Sequence, residues 1–236
     1  MAAPPDFLHE LGKEALGEVR GDPATRELYA VDASLYRRVP VGAMRAMRAD
    51  DLQVAVQWCA RHDVPLTMRG AGTSLAGQSV GTGLVVDTSA LRQVQVNPEE
   101  CTAIVQPGVV LDQLNRAAGA CGLAFGPDVA TASRATLGGM IGNNSAGARS
   151  VRYGLTADNV ASLDVVLADG TACTLRRGGP VPAALQQVAA LATTDGFPAL
   201  LRRVSGYALD AIAGDEPDWP RLIAGSEGTL AVITSA

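Results

Sequence analysis

The chain has 236 residues, 47% of them apolar and 18% charged, which suits a folded globule of one large domain or two small lobes and excludes a disordered chain. A formal net charge of -5 leaves no electrostatic footprint for nucleic acid, and no apolar run approaches the ~20 residues that span a bilayer. Cys59, Cys101, Cys121 and Cys173 are scattered without a C-x-x-C pair, so no metal is expected and reduced thiols in a cytoplasmic protein are.

Residues 1–39 read as a helical lead-in. A first helix over 6–17 places Phe7, Leu8, Leu11, Ala15 and Leu16 on one face, and a second after Asp22-Pro23 carries Leu28 and Tyr29. Residues 40–100 read as a small βαβ-like lobe: strand 42–47, helix 51–62, strand 64–68, a glycine loop and strand 83–87. Asp50 or Asp51 is the expected N-cap of the helix, which buries Leu52, Ala55, Val56 and Cys59.

The glycine loop organises the chain. Its run RGAGTSLAGQ (69–78) leaves an apolar strand and combines Gly70, Gly72 and Gly77 with Thr73, Ser74 and Gln78. Glycine lets backbone N–H groups approach an anion closely, so the loop is either a phosphate cradle or a plain strand-terminating turn. A Rossmann fingerprint is disfavoured: Leu75 stands where a third glycine belongs, and Gly77, Gly81 and Gly83 leave no room for a crossover helix before the next strand.

From residue 101 to 236 a larger lobe is expected. Strands 94–96 and 102–106 flank the turn Asn97-Pro98-Glu99-Glu100, and a helix covers 110–121. The stretch 126–147 is dense in glycine and small polar residues. A short helix from about Thr136 would let Gly138-Gly139 admit a flat ligand, unless the stretch is a packing site. Strands 160–167 and 171–175 meet at Asp169-Gly170, a hairpin signal. A helix opens after Pro180 and Pro182 and runs to about Thr194, within the low-information stretch 176–204. A last strand follows the turn Gly225-Ser226-Glu227-Gly228.

Four motifs, RGAGTSLAGQ (69–78), GPDVATASRATLGGMIGNNSAG (126–147), RYGLTADNV (152–160) and GSEGTLAVIT (225–234), together resemble the FAD-binding PCMH-type domain of the vanillyl-alcohol oxidase superfamily, in its FAD-linked 2-hydroxy acid dehydrogenase branch. The resemblance covers roughly residues 40–235. It implies an α+β fold of two lobes, a small parallel α/β lobe and a larger one around an antiparallel sheet, with FAD between them. It further implies oxidation of a 2-hydroxy acid to a 2-oxo acid by hydride transfer to flavin N5, with an iron–sulfur electron acceptor as partner.

Arg69, Gly70, Ala71, Gly72, Thr73 and Ser74 would hold the pyrophosphate, with Gln78 and Ser79 beside them. Pro127, Asp128, Thr136, Gly138 and Gly139 would meet the cofactor from the second motif, together with Asn143, Ser145 and Gly147. Glu227, Gly228 and Val232 would approach it from the last. Covalent members of the superfamily hold a histidine where this loop has Thr73 or Ser74, so non-covalent FAD is implied. Arg48 stands where the family usually has proline, which would leave the strand exit less rigid.

No catalytic residue is assigned. Asp128 and Glu227 are either acid–base groups or hydrogen-bonding partners of cofactor or backbone. Arg149 and Arg152 face either an acidic substrate or solvent. His9 and His62 read as a solvated residue and a helix-end residue. Substrate-binding residues and the proton-abstracting base belong, in relatives, to a following cap domain that this sequence is expected to lack. The alternative reading is a non-catalytic flavin-holding electron-transfer subunit.

Overall fold

The computed structural model describes residue 4 and residues 6–198, 200, 203 and 206–236. Parts of the lead-in (1–3 and 5) and of the low-information stretch (199, 201, 202, 204 and 205) lie outside the described residues. Helix α1 (Phe7–Glu14) buries Phe7 and Leu11 but is shorter than expected: Ala15 is already extended and Leu16 is 68% exposed. The chain turns directly into strand β1 (Glu18–Arg20), so the lead-in is not helical throughout. Helix α2 (Pro23–Leu28) follows, with Asp22 accepting from the Thr25 N–H and Pro23 at the first position, where its missing N–H costs nothing.

Strand β2 (Gly42–Arg45), helix α3 (Ala49–His62), strand β3 (Leu66–Arg69) and strand β4 (Leu84–Asp87) form the expected βαβ-like unit. β4 inserts between β2 and β3, parallel to both, and β1 adds antiparallel outside β2, giving the order β1-β2-β4-β3. Leu84, Val85 and Val86 on the inner strand are fully buried, as a parallel strand covered on both faces requires.

The start of α3 departs from the expected cap. Arg48 is the N-cap, and Asp51 stands three residues inside. The Asp51 carboxylate accepts from the Met47 N–H at 2.8 Å, the Arg48 N–H at 3.0 Å and the Leu16 N–H at 2.8 Å. One side chain thus satisfies donors from the β2 exit, the helix start and the end of α1. The turn around Arg48 is held from Asp51.

Strands β5 (Val94–Asn97) and β6 (Thr102–Val105) form the expected hairpin, followed by α4 (Leu111–Gly119), α5 (Leu137–Gly142) and α6 (Ser150–Tyr153). Strands β7 (Ser162–Leu167) and β8 (Ala172–Arg176) pair across the predicted turn, where Gly170 takes a φ of 83°. The expected helix to Thr194 is only a 3-10 turn (Ala183–Leu185) and a single turn, α7 (Gln186–Ala189). Leu185 is buried in the core beside the second sheet, with Val188, Ala189 and Ala192 packed against it only partly buried.

Helix α8 (Trp219–Ile223) buries Trp219, whose indole N–H donates to the Gly179 carbonyl at 3.0 Å. Strand β9 (Ala231–Ser235) completes the antiparallel sheet β8-β7-β9. Just beyond it, Ala236 exchanges both backbone hydrogen bonds with Val105 of β6. The fold is α+β: among the described residues, one sheet with a parallel centre and an antiparallel edge strand, a two-stranded hairpin and a three-stranded antiparallel sheet.

Helix α3 is common property of both halves. Leu52, Ala55, Val56 and Cys59 pack into one core with Val86 from the first sheet and with Val166 and Val232 from the second. Gln53 Nε2 also donates to the Gly170 carbonyl at 2.9 Å. Because Asp51 anchors this helix while only 2% exposed, Asp51→Ala should destabilise the chain by about 2–4 kcal/mol, through the loss of charge-assisted bonds to three backbone donors. Urea denaturation measures this; a loss below about 0.5 kcal/mol, the scale of an ordinary surface substitution, would contradict the role.

Candidate functional site

β3 delivers the chain into the glycine loop, and the loop is fixed from the side the sequence left without a role. The Ala33 N–H donates to the Gly72 carbonyl at 3.0 Å, and Ser79 Oγ donates to Asp32 Oδ2 at 2.9 Å. Burial pushes the Asp32 carboxyl up, but hydrogen bonds from Ser34 and Ser79 outweigh it and hold the group below its ordinary range. Gly72 has a φ of 67° and Gly77 one of 79°, and a Cβ at Gly77 would stand 2.8 Å from the Tyr36 ring. These two positions need glycine.

What the bracing leaves free is a run of donors. Among the described residues, the backbone N–H groups of Gly70, Ala71, Gly72, Thr73 and Ser74 donate to no protein acceptor, whereas those at 76 and 80 do. Successive unpaired N–H groups in a turn form a concave anion receptor.

Helix α5 makes the opposite wall. At Gly138 the wall is backed by Pro107: the Gly138 N–H donates to the Pro107 carbonyl at 2.9 Å, and a Cβ there would stand 2.6 Å from Pro107 Cβ. Gly138 packs the helix, a Cβ at Gly139 would stand 3.2 Å from Thr136 Oγ1, and the open position is Gly142. A Cβ at Gly142 would meet nothing within 4 Å. After α5, Asn144 takes a left-handed φ of 47° while its Oδ1 accepts from the Ala157 N–H at 2.9 Å. The Ser145 carbonyl accepts from the Thr156 N–H at 3.1 Å and from Thr156 Oγ1 at 2.7 Å. The motif at 152–160 thus holds the 143–147 loop in place.

A third wall is the 225–228 turn. The Gly225 and Glu227 N–H groups donate to the Ile141 and Gly142 carbonyls, each at 2.9 Å, which satisfies the end of α5. Glu227 pays for this with a left-handed φ of 53°. The first and second walls meet at Gly70 and Thr136. A Cβ at Gly70 would stand 2.1 Å from Thr136 Oγ1, so only glycine permits the approach. Thr136 Oγ1 is buried without a hydrogen-bond partner. The same holds for His62 Nε2, which sits among the rings of Phe7 and Trp58, outside the cleft.

The three walls enclose a cleft of about 380 Å³. From the sequence-predicted set, Arg69, Gly70, Ala71, Gly72, Thr73 and Ser74 line it, as do Gln78 and Ser79. Thr136, Gly138, Gly139, Asn143 and Ser145 line the α5 side, and Glu227 and Gly228 the third wall. Pro127, Asp128, Gly147 and Val232 do not line it. Asp128 points outward to an exposed ion pair with Arg149 at 3.4 Å. Gly147 backs onto the Asp128 carbonyl, where a Cβ would stand 1.4 Å away, and Val232 is buried in the core around α3. Arg152 lies over the Tyr153 ring at 5.3 Å.

Gly142 and Ser226 also line the cleft and lie within the motifs at 126–147 and 225–234, where only their neighbours carry a site signal. Ile223 and Ile233 line it too, and in sequence they look like ordinary core residues. Among the described residues no group of three or more His, Cys, Asp or Glu side chains is placed to hold a metal.

A cleft with a free-donor loop on one side and the α5 backbone on the other fits a phosphate-bearing organic cofactor. The sequence pattern of the FAD binding domain matches residues 40–176, and the chain belongs to that family. The free donors and the open space at Gly142 fit such a cofactor.

The chain is 32% identical to D-2-hydroxyglutarate dehydrogenase of Escherichia coli (strain K12), over 98% of this chain and 25% of that protein. It is 34% identical to glycolate oxidase subunit GlcD of Bacillus subtilis (strain 168), over 95% of this chain and 43% of that protein. Among solved structures, alkyldihydroxyacetonephosphate synthase superposes with a TM-score of 0.73 at 21% identity, covering 100% of this chain and 38% of that one. 6-Hydroxy-D-nicotine oxidase from Arthrobacter nicotinovorans gives 0.65 at 18%, covering 94% and 41%. The chain therefore spans about a quarter of the D-2-hydroxyglutarate dehydrogenase it matches.

The Gly70–Thr136 contact gives a test independent of any ligand. Gly70→Ala should destabilise the chain by about 1–3 kcal/mol through overpacking. Thr136→Ala alone should cost little of the hydroxyl's contribution, because that hydroxyl has no partner, and in the double variant it should recover most of the loss. Denaturation of all four chains closes the cycle; purely additive effects would mean that the two residues do not touch.

Proposed function

We propose that the chain is the FAD-holding part of a flavin-dependent dehydrogenase that oxidises a 2-hydroxy acid to a 2-oxo acid. The run of unpaired N–H groups at Gly70, Ala71, Gly72, Thr73 and Ser74 carries this reading, because a pyrophosphate supplies the acceptors they lack. When bound, FAD supplies the two-electron acceptor for the alcohol.

The residues of the chain then have distinct tasks. The 70–74 backbone binds the anion, while Gln78 and Ser79 close the same end of the cleft. Gly139, Gly142, Asn143 and Ser145 admit the ring system against the α5 backbone, with Met140, Ile223 and Ile233 excluding water behind it. Glu227 is the one carboxylate lining the cleft among the described residues. His9 and His62 are not in that lining, so the proton-abstracting base is proposed to lie in a further part of the protein. Asp128 and Arg149, joined to each other outside the lining, are assigned to the surface.

The relatives named above act, by their names, on D-2-hydroxyglutarate and glycolate, which supports a small 2-hydroxy acid as substrate. We place the protein in the reducing cytoplasm on its unpaired Cys59, Cys101, Cys121 and Cys173. No helix of the described residues is long and apolar enough to cross a membrane. An iron–sulfur protein is the proposed electron acceptor.

Gly142→Leu tests the site with least damage to the fold, since the added side chain enters open space and leucine is the better helix former. FAD binding should fall at least about tenfold with folding stability kept, an effect of more than ~1.4 kcal/mol on binding alone. Parent-like affinity would remove α5 from the cofactor site.

The attachment is proposed to be non-covalent, because the loop offers Thr73 and Ser74 and no histidine. Acid precipitation should release yellow cofactor to the supernatant. A coloured pellet, or a denatured mass heavier by one FAD, would contradict this. The flavin of the chain alone should not be reduced by D-lactate or D-2-hydroxyglutarate; reduction would make Glu227 the group to replace first.

A further inference from the structure

The last residue of β3, Arg69, lines the cleft and turns back along the loop it introduces. Its Nη1 donates to the Ser79 carbonyl at 3.3 Å, and a Cβ at Gly72 would stand 2.7 Å from its Nη2. The guanidinium thus spans the loop floor from Gly72 to Ser79. These are the same two residues that Ala33 and Asp32 hold from outside.

The guanidinium is located in turn by Tyr29, whose ring lies 5.4 Å from Arg69 Cζ. Tyr29 is itself oriented by its hydroxyl, which donates to Asp87 Oδ2 at 2.6 Å. Burial, and then the Asp87 carboxylate, push the Tyr29 phenol far above its ordinary range, so it remains the donor at neutral pH.

Among the described residues Arg69 is in no salt bridge. Asp87 stands opposite it in the β3–β4 register but is engaged by Tyr29 and by the Ser89 N–H. A half-buried positive charge therefore lines the same cleft as five free N–H donors, with no salt-bridge partner among the described residues.

We propose that Arg69 is a positioning residue for the anion loop. Held by Tyr29 and Asp87, it sets the span between Gly72 and Ser79 and supplies charge beside the free donors, so that Tyr29 tunes affinity for the phosphates of FAD without touching the cofactor. This rests on the cofactor site proposed above. It gives the lead-in residues 29–33 a part in binding, since Tyr29, Asp32 and Ala33 each hold one end of the strut or loop.

The test is titration of the whole chain with FAD, at low and high salt, for the parent, Arg69→Met, Arg69→Lys and Tyr29→Phe. Arg69→Met should weaken FAD binding about ten- to hundredfold and flatten its salt dependence, as expected when a charge that favours an anion is removed. Arg69→Lys should restore the salt dependence and only part of the affinity, since an ammonium lacks the planar fork that reaches both Gly72 and Ser79. Tyr29→Phe removes one oxygen and should weaken binding by about three- to tenfold, on the scale of one hydrogen bond, with the fold kept. If Arg69→Met fails to fold, Tyr29→Phe and Arg69→Lys still decide.

Parent-like affinity in Tyr29→Phe, or an unchanged salt slope in Arg69→Met, overturns the inference while leaving the FAD site standing. Absence of FAD binding by the parent overturns both.

Discussion

Unpaired backbone donors impose the constraint on which the rest of this structure depends. A loop that must keep its N–H groups free cannot be stabilised by the usual turn hydrogen bonds, so its shape has to come from elsewhere. It comes through its carbonyls and its ends. The Gly72 carbonyl is taken by Ala33, the Ser79 hydroxyl by Asp32 and the Ser79 carbonyl by Arg69, which leaves the donor side of the loop bare. The arrangement is preorganised, and the entropy of ordering the loop is met during folding.

The opposite wall follows the same logic with different parts. Helix α5 ends in carbonyls that would be orphaned in a cleft, and the Gly225 and Glu227 N–H groups satisfy them. The left-handed Glu227 is the local cost of that fit. The loop after α5 is fixed by Asn144 and Thr156, with Thr156 completely buried. Helix α3 then packs into both sheets, so the two walls belong to one framework and not to two lobes joined by a linker.

The βαβ-like unit was legible in the sequence because glycine and proline punctuate it and its strands are short apolar runs, as with Leu84, Val85 and Val86. β1 was not legible. Glu18-Val19-Arg20 carries no strand signal of its own and becomes a strand only by pairing with β2. Asp51 was read as a possible cap, but its work is to reach back to three donors, one of them on α1, and such long-range closure leaves no local trace.

The glycines divide in the same way. Gly72 declares itself through its place in a turn. Gly138 lines the cleft and also packs against Pro107, whereas Gly147 backs onto the Asp128 carbonyl outside the lining. Ile223 and Ile233 look like core because they do belong to a core, of which the cleft is one face.

Hydrogen exchange of the backbone amides on adding FAD measures the central claim most directly. Amides of 70–74, which lack protein acceptors, should exchange quickly in the free chain and become protected with saturating FAD, while those of the β5–β6 hairpin stay as they were. Exchange at 70–74 that is unchanged by FAD, in a chain that nevertheless binds it, would contradict the account.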